Sequence, residues 1–190
     1  MSPVTAQRAF QMVENESLWA AATRVNGLLV GGGIPYAIVG GVAVCLHGYR
    51  RNTVDLNLLI RPADAASLRT LLEGDGIAWD ATAKEFRCPS GVPVQLLMAG
   101  ETEGPGQPTV FPDPADTQYL TAIEGLPVLS LPQLIQAKLA CGLGNLRRTH
   151  KDFADVVELI AIHELDGSFA RLLHKSVRKE FKELLQRVRG

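Results

Sequence analysis

Residues 36–60 read YAIVGGVAVCLHGYRRNTVDLNLLI, and this stretch decides the fold. It opens with a short, continuously apolar run that is typical of a buried strand. Gly40 and Gly41 then turn the chain into a short helix over 42–48, and a second buried strand is predicted over 53–60. A glycine pair between a strand and a helix lets the backbone approach a phosphate group closely, and the start of the helix supplies unpaired N–H groups.

The second predicted strand carries two polar residues, Asp55 and Asn57, among apolar ones. Side chains two positions apart on a strand point to the same side, so this pair is expected to converge while Val54, Leu56 and Leu58 face the core. An unpaired buried polar group costs about 1–3 kcal/mol, so the pair needs a physical reason. One reason is an ion or nucleotide site, and the other is a polar pair that satisfies backbone groups of the preceding loop.

Hydrophobic periodicity, together with glycine and proline positions, predicts the elements outside this stretch. We expect helices over 14–30, 63–73, 132–142, 150–164 and 168–188, strands over 84–88 and 92–97, and an ordered irregular loop over 100–116. This order is typical of a mixed α/β (α+β) fold whose sheet has both parallel and antiparallel pairs. We expect an α/β core over 1–130 and a helical C-terminal extension over 131–190, packed as a single unit.

The segment from the glycine pair to the second strand resembles the minimal nucleotidyltransferases and the abortive-infection-toxin type of nucleotidyltransferase. In that family a Gly-Gly turn precedes an Arg-x-Thr-x-Asp-x-Asp strand, and a third carboxylate lies on a later strand. The matching residues are Gly40, Gly41, Arg51, Thr53 and Asp55. Residues 126–140 and 151–160 look like the family's lysine-bearing helix and its aspartate-rich partner. The resemblance covers roughly residues 20–165 and implies a nucleotidyltransferase-like fold with helices on the sheet.

The resemblance also implies an activity, which is the transfer of a nucleoside monophosphate from an NTP to a hydroxyl of a protein or RNA. Two divalent ions, Mg²⁺ or Mn²⁺, would clamp the attacking and leaving oxygens. Asp55 would bind an ion, Gly40 and Gly41 would hold the triphosphate, and Arg51, Thr53 and Lys138 would assist. By analogy with the family, the setting would be defence or a toxin–antitoxin pair.

Two positions depart from the family pattern, because the second strand carboxylate is Asn57 and the third falls on Gln95 in Val94–Leu97. Each change replaces a negative charge by a neutral amide, whereas Mg²⁺ prefers anionic oxygen ligands. Asp80 and Glu85 are the nearby candidates to replace the missing carboxylates. We therefore expect a nucleotidyltransferase-fold protein that binds a nucleotide or a partner without catalysis. An active Mg²⁺- or Mn²⁺-dependent transferase, with Asp55, Asn57 and Gln95 at its centre, is the alternative.

Two further features allow more than one interpretation. Lys138 lies on an apolar helix, where it either reaches a bound triphosphate or pairs with Asp152 or Asp155. The last predicted helix carries basic residues at helical spacing, which either bind a protein or RNA partner or form a solvated face. These residues are Arg171, Lys175, Arg178 and Lys182.

Composition limits the remaining possibilities. The 190 residues are 46% hydrophobic and 21% charged, with a formal net charge of −1, which fits one globular domain. No apolar run approaches the roughly 20 residues of a membrane span, and the start of the sequence lacks a signal pattern. Three widely spaced cysteines match neither a disulfide framework nor a zinc site. We therefore expect a cytoplasmic protein that makes no membrane contact.

Overall fold

A mixed sheet lies at the centre of the structure, a computed structural model that describes residues 16–190. In chain order its seven strands are β1 (Tyr36–Val39), β2 (Leu56–Ile60), β3 (Ala78–Asp80), β4 (Glu85–Arg87), β5 (Pro93–Met98), β6 (Leu120–Ile123) and β7 (Leu126–Leu129). Their order across the sheet is β3-β4-β5-β2-β1-β7-β6. Strands β1 and β7 are parallel, as are β2 and β5, and the other neighbours are antiparallel. The predicted mixed α/β class is therefore confirmed.

Six α-helices accompany this sheet in the described residues. They are α1 (Glu16–Gly31), α2 (Gly40–Leu46), α3 (Ala65–Gly74), α4 (Leu131–Gly144), α5 (Thr149–Ile162) and α6 (Arg178–Arg189). The first five match predicted helices, although residues 14 and 15 of the first prediction lie outside the described range. In residues 16–190 no helix has both the length and the apolar character of a membrane span.

Strand β3 and the hairpin of β6 and β7 were not predicted. The hairpin turns at Glu124 and Gly125, whose φ angles of 52° and 78° are both positive. Two consecutive positive φ angles define the type I′ turn, whose twist matches that of the flanking strands. Both strands have only four residues, and Pro127 within β7 weakens its strand pattern. The hairpin places β7 beside β1, and so it extends the sheet past the glycine pair.

The last helix is shorter than predicted, because the chain over 168–188 is broken. A 3₁₀ segment covers Gly167–Leu172, a second covers Lys175–Val177, and only then does α6 begin. The backbone is extended at the junction, where the N–H of His174 donates to Oε1 of Gln136 on α4 at 2.8 Å. Apolar residues at helical spacing over this stretch still pack inward, and Leu173, Val177, Phe181 and Leu184 are buried.

This break also corrects the predicted basic stripe. Arg171 and Lys175 lie on the two 3₁₀ segments, and only Arg178 and Lys182 belong to α6. The Arg178 guanidinium donates to the backbone oxygen of Leu173 at 2.9 Å, so it braces the junction. The four basic residues therefore do not follow one continuous helix.

Candidate functional site

A cavity of about 430 Å³ lies where the sheet meets α4 and α5. The end of β1, the segment 51–57 and strand β5 form one side, and α4 and α5 form the other. Residues 101–105 and Phe111 complete the wall. They belong to the predicted 100–116 loop, which pairs with itself through a bridge between Thr102 and Val110. All the sequence-predicted site residues line this cavity: Gly40, Gly41, Arg51, Thr53, Asp55, Asn57, Gln95 and Lys138.

The glycine pair allows the segment 51–57 to pack closely against the start of α2. Gly40 has a φ of 67°, and a Cβ there would lie 3.0 Å from Nδ2 of Asn57. A Cβ on Gly41 would lie 2.3 Å from Oγ1 of Thr53. The space above both glycines is therefore occupied by side chains of this protein, which gives the pair a structural role.

Asp55 precedes β2 instead of lying within it, since the strand begins at Leu56 and not at 53 as predicted. For the same reason Val54 does not face the core and is 64% exposed. The Asp55 carboxylate accepts hydrogen bonds from Nδ2 of Asn57 at 2.7 Å and from Oγ1 of Thr53 at 3.3 Å. Its neighbours therefore already engage both of its oxygens.

Asn57 and Gln95 lie side by side, because β2 and β5 are parallel and these residues are paired in register. The Gln95 amide donates to Oε2 of Glu85 at 3.0 Å, and Glu85 also pairs with Arg87, whose Nη2 lies 2.6 Å from Oε1. Through its bond to Gln95, Glu85 lies close to the site, but it is buried and does not line the cavity. The other sequence candidate, Asp80, caps its own turn and accepts from the backbone N–H groups of residues 82 and 83.

These donors do not fit a two-ion site. A two-ion transfer site needs several anionic oxygens around ions about 3.5–4 Å apart. Here the three positions of the family pattern hold one carboxylate, Asp55, and two amides, Asn57 and Gln95, whose NH₂ groups are directed at carboxylates. Within residues 16–190, no group of three or more His, Cys, Asp or Glu side chains is arranged to hold a metal ion.

Lys138 pairs with both of its sequence candidates. Its Nζ lies 2.8 Å from Oδ1 of Asp152 and 2.7 Å from Oδ2 of Asp155, and all three residues are buried. Nη2 of Arg51 donates to Asp155 at 3.0 Å, and Nε of Arg148 donates to Asp152 at 3.0 Å. Burial acts to raise the pKa of Asp152, but the charges and hydrogen bonds of Lys138 and Arg148 hold that pKa below its ordinary value. We call these five residues the charge network: Arg51, Lys138, Arg148, Asp152 and Asp155. The network joins segment 51–57 to α4 and α5.

Three cavity residues were missed in the sequence. Glu103 is only 4% exposed, and burial raises its pKa to about 7, although the Gln136 amide donates to its carboxylate at 3.1 Å. Arg148 and Lys151 lie at the start of α5 and bring positive charge to the wall of the cavity that faces the sheet. The run Arg147-Arg148-Thr149-His150-Lys151 was the available signal for the last two, whereas nothing local marks Glu103.

Comparison with known proteins supports the fold. No protein-family model matches the sequence, and no curated protein does. A candidate nucleotidyltransferase from Thermotoga maritima matches in structure with a TM-score of 0.52 and 17% sequence identity, over 71% of this chain and 89% of that one. An antigenic nucleotidyltransferase-like protein from Paracoccidioides brasiliensis gives a TM-score of 0.49 and 21% identity, over 75% of each chain. The likeness to the Thermotoga structure bears out the resemblance at the level of architecture: the chain has a nucleotidyltransferase-like fold.

Proposed function

We propose that this protein binds a nucleotide in the 430 Å³ cavity and does not transfer it. The observation that carries this proposal is the in-register pair of amides, Asn57 and Gln95, beside the single carboxylate Asp55. The proposal has two parts, a binding site and an absent transfer reaction, and separate observations support each part.

The binding part rests on the shape and chemistry of the cavity. Ligand pockets usually measure about 300–1,000 Å³ and combine apolar walls with a few converging polar groups. Here Leu97, Phe111 and Leu134 supply apolar surface, while Asp55 and Arg148 supply charges on opposite sides. A nucleotide offers matching parts: a flat base for the apolar surface, hydroxyl groups for the carboxylate and an anionic phosphate for the positive charge.

The non-transfer part rests on the ligands that are left for ions. Transfer of a nucleotidyl group is catalysed mainly by charge stabilisation and positioning, which two bound ions supply in this class of reaction. Of the three positions that carry carboxylates in the family pattern, Asp55 alone keeps one, and Lys138 and Arg51 are held by buried aspartates. The lysine and arginine that the resemblance assigns to the triphosphate are therefore occupied in this structure.

A thermal-shift titration with nucleoside mono-, di- and triphosphates tests the binding part. A ligand at 100 times its dissociation constant should stabilise the protein by about 2.7 kcal/mol, which is a shift of several degrees for a chain of this size. We expect such a shift for the wild type and a smaller one for Asp55→Ala. Glu158→Gln, which removes an exposed carboxylate on α5 outside the cavity, is the control and should behave as the wild type does. A flat response across the whole panel would overturn the binding part.

The double variant Asn57→Asp with Gln95→Asp tests the non-transfer part, since it restores both carboxylates of the family pattern. It should be destabilised without ions, because three carboxylates then repel one another, and it should be stabilised by Mn²⁺. The wild type should show no stabilisation by Mn²⁺ and no transfer of label from a radiolabelled NTP. Efficient transfer by the wild type that Asp55→Ala abolishes would establish the active transferase instead.

A further inference from the structure

We infer that the cavity holds a phosphate monoester, and that Arg148 and Lys151 bind its phosphate group directly, without a metal ion. This inference rests on the proposed function only in placing the ligand in the cavity. Beyond that function, the inference names the residues that bind the anion and the charge that the ligand carries.

The first step concerns the charge network, which has one positive charge in excess. It contains the cations Arg51, Lys138 and Arg148 and the carboxylates Asp152 and Asp155. Four of the five side chains are largely buried, whereas the Arg148 side chain is 50% exposed. The uncompensated charge is therefore accessible at Arg148, on the wall of the cavity.

Lys151 adds a second positive charge to the same wall. It lies three residues after Arg148, lines the cavity and is exposed. Among the described residues, no hydrogen bond or ion pair engages its ammonium group. The wall thus offers about two charges, which matches a phosphate monoester of about −1.5 to −2 at neutral pH. A triphosphate carries more negative charge than this wall neutralises.

The opposite wall is acidic and so fixes the direction of the ligand. Asp55 lies there, in the segment 51–57. The pKa of Arg148 is raised mainly by its hydrogen bond to Asp152, and the charge of Asp55 contributes. Asp55 repels an anionic phosphate, and Arg148 and Lys151 attract it. Hydroxyl groups of a sugar, in contrast, donate hydrogen bonds to the Asp55 carboxylate. The phosphate group is therefore directed at α5 and the sugar at Asp55.

Isothermal titration calorimetry in EDTA is the test, with the nucleoside monophosphates, ribose 5-phosphate and inorganic phosphate as ligands and adenosine as the phosphate-free probe. We expect at least one monoester to bind in EDTA, and added Mg²⁺ to leave its affinity unchanged. Lys151→Gln should weaken binding about tenfold, the usual effect of losing one charged hydrogen bond. Lys182→Gln, an exposed lysine on α6 outside the cavity, is the matched control and should bind as the wild type does.

Arg148→Gln should weaken binding further, but it also removes a partner of Asp152 and so perturbs the fold. Lys151→Gln keeps the test independent of folding, because the lysine is exposed and its ammonium is not bonded within residues 16–190. Unchanged affinity in Lys151→Gln would overturn the inference.

The ligand series separates this inference from the proposed function. Binding of a triphosphate that requires Mg²⁺, with no binding of monophosphates, overturns the inference and leaves nucleotide binding intact. If ribose 5-phosphate binds and no nucleotide does, nucleotide binding is overturned, whereas direct binding of a phosphate group by Arg148 and Lys151 is supported. Binding of nucleoside monophosphates in EDTA supports both, and binding of no ligand overturns both.

Discussion

Replacement of Glu103 by glutamine is expected to change how the free energy of unfolding depends on pH. Glu103 is 4% exposed, and burial raises its pKa from 4.5 to about 7. The Gln136 amide partly opposes this shift, and no cation among the described residues pairs with the carboxylate. The folded protein therefore holds a proton on Glu103 over a pH range in which the unfolded chain has lost it.

The sign follows from the raised pKa. The stabilising effect of the protonated form is complete below about pH 4.5 and is lost as the pH rises to about 7. A gap between 4.5 and about 7 corresponds to a loss of roughly 3 kcal/mol in the wild type. Glu103→Gln stays neutral throughout and keeps an oxygen that accepts from Gln136. Its free energy of unfolding should therefore match the wild type at the acid end and exceed it by up to roughly 3 kcal/mol at the alkaline end.

Urea unfolding followed by circular dichroism at a series of pH values measures this difference. Glu101→Gln is the matched control, since Glu101 lies on the same loop but is exposed, and it should not reproduce the stabilisation of Glu103→Gln at the alkaline end. A difference between Glu103→Gln and the wild type that does not change with pH would refute the reasoning, because the carboxyl would then ionise equally in both states.

Two further substitutions test the packing around the cavity. Lys138→Met leaves Asp152 and Asp155 with fewer cations in a buried setting, so it should lower the free energy of unfolding by about 3–5 kcal/mol in urea unfolding. Gly41→Ala places a Cβ 2.3 Å from Oγ1 of Thr53, so the threonine must move. The expected cost is about 1–3 kcal/mol, and calorimetry should show weaker ligand binding as well.

Each of these two substitutions has a control in the chain. Lys182→Met changes an exposed lysine on α6 and should alter stability by less than about 0.5 kcal/mol. Gly27→Ala adds a Cβ in α1 that meets no atom within 4 Å, so it should stabilise the helix by about 0.5–1 kcal/mol. A Lys138→Met protein as stable as Lys182→Met would contradict the structural role of the charge network.

Much of the sheet centre could be predicted because its signals are local. The apolar runs that form β1 and β2 and the glycine pair between them identify the fold. The family pattern assigned Asn57 and Gln95 to the second and third carboxylate positions, and the register of β2 and β5 brings the two together.

The rest depended on contacts between distant residues. The C-terminal helix was predicted to be continuous because its apolar spacing is preserved, but Gln136 captures the N–H of His174 and the chain breaks there. Whether Lys138 is free was decided by Asp152 and Asp155 on a different helix. Glu103 is buried at the cavity only because the loop folds back over α4, which its own sequence does not reveal.

Retention of radiolabelled nucleoside mono- and triphosphates by the native protein, followed by denaturation and chromatography of the label, is the most direct measurement of binding without transfer. The protein is incubated with each labelled nucleotide in Mg²⁺ and in EDTA, with and without added RNA. We expect the native protein to retain a labelled nucleotide in both conditions and denaturation to return it chemically unchanged. Label that remains covalently attached to the protein or the RNA, with release of pyrophosphate, would contradict the proposal.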